Sequence, residues 1–485
     1  MTQEPLNHER GFSKAPLSSA ADNGICRQTA EFLVVLCLSI LLFRTFAAEA
    51  YIVPTGSMAP TLLGNHREVI CPNCDFHVSM GLDEKWCGGS PICPNCGQIG
   101  LESAPAVTSC GDRVLVQKFL YDLRRPRRWE VAVFHFPGDP SVAYVKRVVG
   151  LPGESLMIHR GDILANGVIA RKTLKEQRGM RILVYDNNFV PRDVNRFPRF
   201  RFQRGMPLTA FPTGWRTEGT AFVHDQTTPA TERIDWVEYR HWDPDRARYS
   251  PIYDFNGYNG TAVPGENIVT DLMVSTRVTP GLDSEAVALR IDSGADRFIV
   301  EIPIGGGKTP TLLRNRRLVP ISNIQGGLRP QAKGALIEAS VMDRRLTVAL
   351  DGIPLFDPID FDDPAVGPSS GDSPIAIGTR GGVLKVEDFK ISRDIYYTSA
   401  RAFPPGHAFG VDSPYLLGKD DFFVLGDNSA VSHDSRFWAG SPVVPGELFL
   451  GKPFLVHLPG QAVPLEVFGR SLYWVPDPRE IRYIR

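Results

Sequence analysis

The 485-residue chain has no excess of either charge, with 53 Lys and Arg against 54 Asp and Glu. It therefore lacks the overall basic character that would draw it to nucleic acid or to an anionic surface. It has no coiled-coil heptads, no phosphate-binding G-x-x-x-x-G-K-[ST] and no low-complexity tract. Only one long apolar run is present, which excludes a multi-span membrane protein. Disorder is excluded as well, because 43% of the residues are hydrophobic and 10% aromatic. What the chain has in abundance is punctuation. Its 45 Gly and 40 Pro, set among Val-, Ile- and Phe-rich stretches, favour short strands over long helices and point to a mainly β fold. The length suits about three domains at roughly 150 residues each.

The single apolar run, Phe32 to Phe43, is twelve residues long and is followed by Arg44. A membrane span needs about 20, reached here by counting from Ala30 to Val53 with Arg44 and Glu49 snorkelling at the far interface. Three readings compete: a membrane anchor over 30–50, a cleavable signal peptide ending at Ala48-Glu49-Ala50, and a buried helix. The 29-residue leader carries no net positive charge and Arg44 interrupts the run, so the anchor is preferred; charge leaves its topology undecided, and residues 1–29 are expected as a cytoplasmic tail.

Six of the eight cysteines fall within residues 71–110. Cys71-Pro-Asn-Cys74 and Cys93-Pro-Asn-Cys96 form C-x2-C-x18-C-x2-C, the spacing of a four-thiolate zinc ribbon. A pair of disulfides is the alternative if the segment lies outside the cytoplasm. Either role is structural, since four thiolates leave no open coordination site.

Alternating apolar and polar residues run from Gly111 to Gly167, with turns at Pro137-Gly138, Pro152-Gly153 and Asn166-Gly167. Strand-like runs recur every 8–15 residues from about 256 to 392, as in a β-sandwich. Residues 171–249, rich in Arg and aromatics, give no clear period. The stretch Val341 to Gly352 weakly resembles a laminin-G or concanavalin-like repeat. It carries no acidic cluster arranged for calcium and no carboxylate pair suited to glycoside hydrolysis.

Three polar stretches bear possible chemistry. Ser57 lies in Pro54-Thr-Gly-Ser-Met-Ala-Pro-Thr-Leu62, which is neither a G-x-S-x-G elbow nor an S-x-x-K motif. Lys146 shares a strand face with Tyr144 and Val148, where burial would make it a neutral base. Gly426 to Arg436 reads as a polar turn between strands. Each has a bland alternative: a turn serine, an edge lysine that discourages aggregation, or a loop of Asx-turns.

In order along the chain, these three stretches resemble the boxes of bacterial type I signal peptidase, the membrane-bound Ser/Lys serine protease. Pro54–Leu62 matches its serine box, Tyr144–Glu154 its lysine box and Gly426–Arg436 its last box. The resemblance implies an all-β catalytic core formed by 51–64, 111–170 and 393–485, with a zinc-ribbon-like insert at 65–110. A larger insert at 171–392 holds the sandwich. It further implies Ser57 as nucleophile and Lys146 as general base, with no cofactor for catalysis. The Ser57 N–H and Thr55 hydroxyl would form the oxyanion hole, Ser432 would hold Lys146, and Gly426 would let the backbone pass close beneath. Asp427, Asp434 and Arg436 would be scaffold tying the last box together, which departs from the family at Ser429 and Ala430. Ile52, Pro54 and Tyr144 would shape shallow pockets for the small residues of an A-x-A preprotein site. The partners implied are exported preproteins and membrane lipid. The expected setting is the inner membrane, with one span and the catalytic part on the extracytoplasmic side. The alternative is a noncatalytic anchored binding protein that uses the sandwich.

Overall fold

The computed structural model describes residues 20–42, 48–82, 91–101, 106–204, 213–226, 233–281, 283–329, 333–362, 364, 371–398, 408–460, 462–467 and 470–484. Most of the leader read as a cytoplasmic tail lies outside them.

An antiparallel sheet of eight strands carries the pieces that the sequence separates. Its order is Ala48–Ile52, Arg113–Gln117, Phe449–Leu458, Val131–Phe136, Asp139–Gly150, Asp421–Leu425 and Val444–Pro445, with Arg482–Tyr483 pairing on Phe449–Leu458. Val114, Val116, Val131 and Val133 turn into one apolar cluster with Met58 and Leu62, which seats the serine loop on the sheet. Asp112, fully buried, accepts from Leu63 N at 3.0 Å, Gly460 N at 2.8 Å and Arg482 at 2.8 Å. One carboxylate thus ties three remote segments together. A smaller sheet of Val168–Ile169, Asp162–Ala165, Ser155–His159 and Tyr415–Leu416 lies beside it in the chain.

The expectation of an anchor over 30–50 is corrected. The helix is Ala20–Leu42, and Ala48–Ile52 is a strand whose Ala48 faces Gln117 and whose Ile52 faces Arg113. The β-favouring Tyr51, Ile52 and Val53 are drawn into the sheet, so the span counted to Val53 does not exist as one helix. Among the described residues no helix is long and apolar enough to cross a membrane. Phe32, Leu33, Val34, Val35, Leu36 and Leu38 are nonetheless exposed.

The cysteine-rich segment forms a three-stranded sheet ordered His77–Gly81, His66–Ile70, Ala106–Ser109. The large insert is two sheets, one of nine strands and one of seven. Phe222, Val274 and Val278 from the first and Val237, Leu289 and Phe298 from the second share one hydrophobic cluster, which makes the pair a sandwich. It starts at Ile182–Asp186, well before residue 256. Asp235–Tyr239 shows why the earlier part gave no period. All five of its residues are buried, with Asp235 bonding His224 at 3.0 Å and Glu238 meeting Arg290 at 2.5 Å. Charges paired inside a sheet erase the alternation that marks a half-buried strand.

Core and insert are joined by a buried ion pair. The Lys172 amine reaches Asp343 at 2.5 Å and Asp394 at 2.7 Å, and stands 4.7 Å over the Trp129 ring. The carboxylates of Asp162, Asp271 and Asp343 also gather here within 4.8 Å of one another. Burial, together with Asp343, pushes Asp162 up to about 7.

Candidate active site

The serine turn is short and enclosed. Gly56–Met58 is a single 3-10 turn capped by the extended Thr55, with Met58 buried and Ser57 partly exposed. Lys146 comes from Asp139–Gly150, paired through Ala132 on one side, while the adjacent Arg147 faces Leu425 on the other. Its Nζ donates to Ser57 Oγ at 2.7 Å and to the Val145 carbonyl at 3.2 Å. Burial lowers the Lys146 amine to about 8, against the pull of Asp434 and Asp427, and Arg436 pushes the same way as burial. A neutral amine there has a lone pair for the serine proton, so the pair can serve as nucleophile and base. Both line a cavity of about 310 Å³ together with Ile52, Pro54, Thr55 and Tyr144. Tyr144 is held by stacking on Phe136, with ring centroids 4.7 Å apart.

The last box closes over the serine turn from the other side. Asn428 N–H donates to the Ser57 carbonyl and its Nδ2 to the Gly56 carbonyl, both at 3.0 Å. A Cβ on Gly426 would stand 2.4 Å from the Ser57 carbonyl oxygen and 2.1 Å from Ser432 Oγ, so only glycine fits. Ser432 touches that glycine, but its buried hydroxyl has no hydrogen-bond partner among the described residues. The bond to Lys146 expected of Ser432 is therefore not made; the amine bonds Ser57 and Val145 instead.

The scaffold residues divide into two pairs. Asp434 and Arg436 bond within the box at 2.8 Å through two bonds, and Asp434 also accepts from Gly426 N at 3.0 Å. Asp427 is not tied inside the box. It takes Arg147 in a two-bond clamp at 2.8 and 2.6 Å and accepts from Thr61 at 2.5 Å, so it joins the lysine strand to the serine loop. Ser429, where the family pattern is broken, accepts Arg436 at 3.0 Å through its hydroxyl and at 2.9 Å through its carbonyl.

Sequence reasoning gave no role to Arg147, Asn428, His433, Asn256 or Asn259. Arg147 and Asn428 sit inside quoted boxes, and the signal was their adjacency to Lys146 and Asp427. His433 lines the cavity, its imidazole lowered chiefly by burial. Asn256 and Asn259 left no local signal, since they come from the large insert.

In the cysteine-rich segment, Cys71, Cys74, Cys93 and Cys96 are all buried, and their sulfurs lie within 4.8 Å of one another. Cys71 stands 3.6 Å from Cys96, and Cys74 3.6 Å from Cys93. With Zn–S near 2.3 Å, a tetrahedron has edges of about 3.8 Å, so the set fits a zinc ion. Each knuckle turns the same way: Asp75 N bonds Cys71 O and Gly97 N bonds Cys93 O, at φ of 58° and 77°. Asn73 Nδ2 approaches Cys96 Sγ at 3.7 Å, a polar group beside the sulfurs.

Comparison with known proteins adds a family. Residues 97–210, which include Lys146, match the family model "Signal peptidase, peptidase S26". Residues 97–210 are thus similar to peptidase S26. Signal peptidase I of Pseudomonas aeruginosa is 28% identical over 163 residues, 31% of this chain and 41% of that protein. Signal peptidase I of Leptolyngbya laminosa is 31% identical over 147 residues, 29% of this chain and 48% of that one. The matches thus span less than half the length of these relatives, and the S26 segment sits in a chain with extra regions beyond its core. Among solved structures, the carbohydrate-binding module CBM66 from Bacillus subtilis aligns over 37% of this chain and 91% of its own. At 11% identity and a TM-score of 0.25 it carries nothing further.

Proposed function

We propose that the protein is a signal peptidase that removes N-terminal signal peptides from exported preproteins by a Ser57/Lys146 dyad. The observation that supports this best is the 2.7 Å contact between a buried lysine amine and a serine hydroxyl at the wall of a cavity. Neutral Lys146 takes the Ser57 proton as Oγ attacks the scissile carbonyl, then returns it to the leaving amine. The Ser57 N–H and the Thr55 hydroxyl receive the developing oxyanion. Ile52, Pro54 and Tyr144 bound the shallow space for the small residues of an A-x-A site. The exposed apolar side chains of Phe32 to Leu36 and of Leu38 support a location at the inner membrane, and the signal-peptidase reading puts catalysis on the extracytoplasmic side. The rival binding-protein reading has no comparable observation, since it leaves the dyad geometry without a purpose.

The test is cleavage of an A-x-A preprotein by the purified chain across pH. Below the Lys146 value of about 8, the neutral fraction falls tenfold per pH unit. The rate should therefore climb with pH and level off above that point. A maximum near pH 5 would implicate a carboxylate and sink the lysine base.

A structural zinc would be held by Cys71, Cys74, Cys93 and Cys96. When bound, it supplies cross-linking of the two knuckles and no part of the reaction. Elemental analysis should find about one zinc per chain, lost in Cys71→Ser or Cys96→Ser while slow peptide cleavage persists. Absence of metal together with Cys71–Cys96 disulfide peptides in mass mapping would establish the oxidised form instead.

A further inference from the structure

The large insert reaches the serine turn. Asn256 caps the 3-10 turn Gly257–Ala262 by accepting from Tyr258 N, and the next residues lie against the turn holding Ser57. A Cβ on Gly56 would stand 2.1 Å from the Tyr258 ring, so that ring packs directly on the Gly56 backbone. Tyr258 OH also donates to the Asn65 carbonyl at 3.1 Å, closing the far end of the serine loop.

Two insert amides then meet Asn428. Asn259 Nδ2 donates to Asn428 Oδ1 at 2.9 Å, and Asn428 Nδ2 donates back to Asn259 Oδ1 at 2.7 Å. Asn256 Nδ2 donates to Asn428 Oδ1 at 3.2 Å and to the Ala59 carbonyl at 3.3 Å. With its remaining N–H on the Gly56 carbonyl, the Asn428 amide uses two donors and two acceptor positions, its full capacity. All three asparagines are buried. The Asn428 amide can face only one way, because a flip would set its oxygen against the Gly56 carbonyl and its NH2 against two insert donors.

The Gly56 carbonyl shares a peptide unit with the Ser57 N–H. In a planar trans peptide these two groups point in opposite directions, so fixing one fixes the other. We propose that Asn259 and Asn256 of the insert are positioning residues for the peptidase reaction. They lock the Asn428 amide and, through the Gly56–Ser57 peptide, aim the N–H that receives the oxyanion. This rests on the peptidase reading given above. The insert is then part of the catalytic apparatus by contact with its support, without touching substrate.

The experiment is steady-state cleavage of an A-x-A preprotein by the full chain, comparing wild type, Ser57→Ala, Asn259→Asp and Asn256→Ala. Asn259→Asp keeps the acceptor for Asn428 Nδ2 but replaces a donor with an oxygen facing Asn428 Oδ1. It should lower kcat roughly 10- to 100-fold, the scale of a misplaced reacting group. KM should stay within about twofold and the pH midpoint should not move, since Lys146 is untouched. Asn256→Ala loses the donor to Asn428 and the Ala59 carbonyl together with the cap on Tyr258 N and should lower kcat about fivefold, which keeps the test alive if Asn259→Asp does not fold. A wild type that does not cleave, or a Ser57→Ala chain that does, sinks the peptidase reading and the positioning role with it. Wild-type kcat in both asparagine variants overturns the positioning role alone. So does a loss confined to KM, or one that matches the fraction of unfolded chain.

Discussion

Ser57→Ala and Lys146→Ala should each lower preprotein cleavage by roughly 10⁴- to 10⁶-fold, while the double variant is no worse than either single one. Removing one member of an interdependent pair already disables the step, so the losses do not add. Lys146 makes the larger demand on the structure. Its amine is buried against Tyr144, with Nζ 5.3 Å from the ring centroid, and among the described residues it bonds only Ser57 and Val145. Alanine there leaves Ser57 without a base, and the only imidazole lining the cavity is that of His433. The check is single-turnover cleavage with folding followed by circular dichroism. Near-normal turnover in Lys146→Ala would show that another group is the base.

The second large effect falls on stability. Arg147 and Asp427 are both fully buried, and burial alone would disfavour each charge. Arg147→Ala leaves Asp427 with the Thr61 hydroxyl and no counter-ion. The expected cost is about 3–5 kcal/mol, the usual price of stranding one partner of a buried pair. The Trp129 carbonyl, which accepts from Arg147 at 2.7 Å, loses its donor as well. Arg147→Met combined with Asp427→Asn should recover most of the loss, because an uncharged pair strands nothing. Urea titration of the full chain measures both. A cost under about 1 kcal/mol in Arg147→Ala would mean that Asp427 is satisfied by something other than Arg147.

What could be read from the sequence was what is local. The two C-x2-C knuckles lie 18 residues apart, and their repeated spacing alone grouped their sulfurs. The serine and lysine stretches were likewise contiguous, and the structure brings Ser57, Lys146, Tyr144, Ile52 and Pro54 to one cavity. Non-local pairing defeated the reading elsewhere. Ala48–Ile52 reads as the tail of an apolar run until Arg113–Gln117 is known to lie beside it. Ser432 sits in the last box, yet its hydroxyl finds no partner among the described residues. Asp427 was grouped with Asp434 and Arg436 by adjacency, whereas its partner, Arg147, lies 280 positions away. The Asp235–Tyr239 strand was hidden because its buried Asp235 and Glu238 find their partners, His224 and Arg290, only once the strands are assembled. Asn256 and Asn259 could not be assigned at all, since nothing near them in the chain resembles a catalytic box.

The bond from Asn428 to the Gly56 carbonyl spans 372 positions, which has a consequence in time. At a synthesis rate of roughly 5–20 residues per second, Ser57 is made roughly 20–70 s before the amide that orients its peptide. Throughout that interval the newborn serine turn is without its support, and a truncated or stalled chain never acquires it. The serine turn and the amide that orients it therefore come together only after residue 428 has left the ribosome.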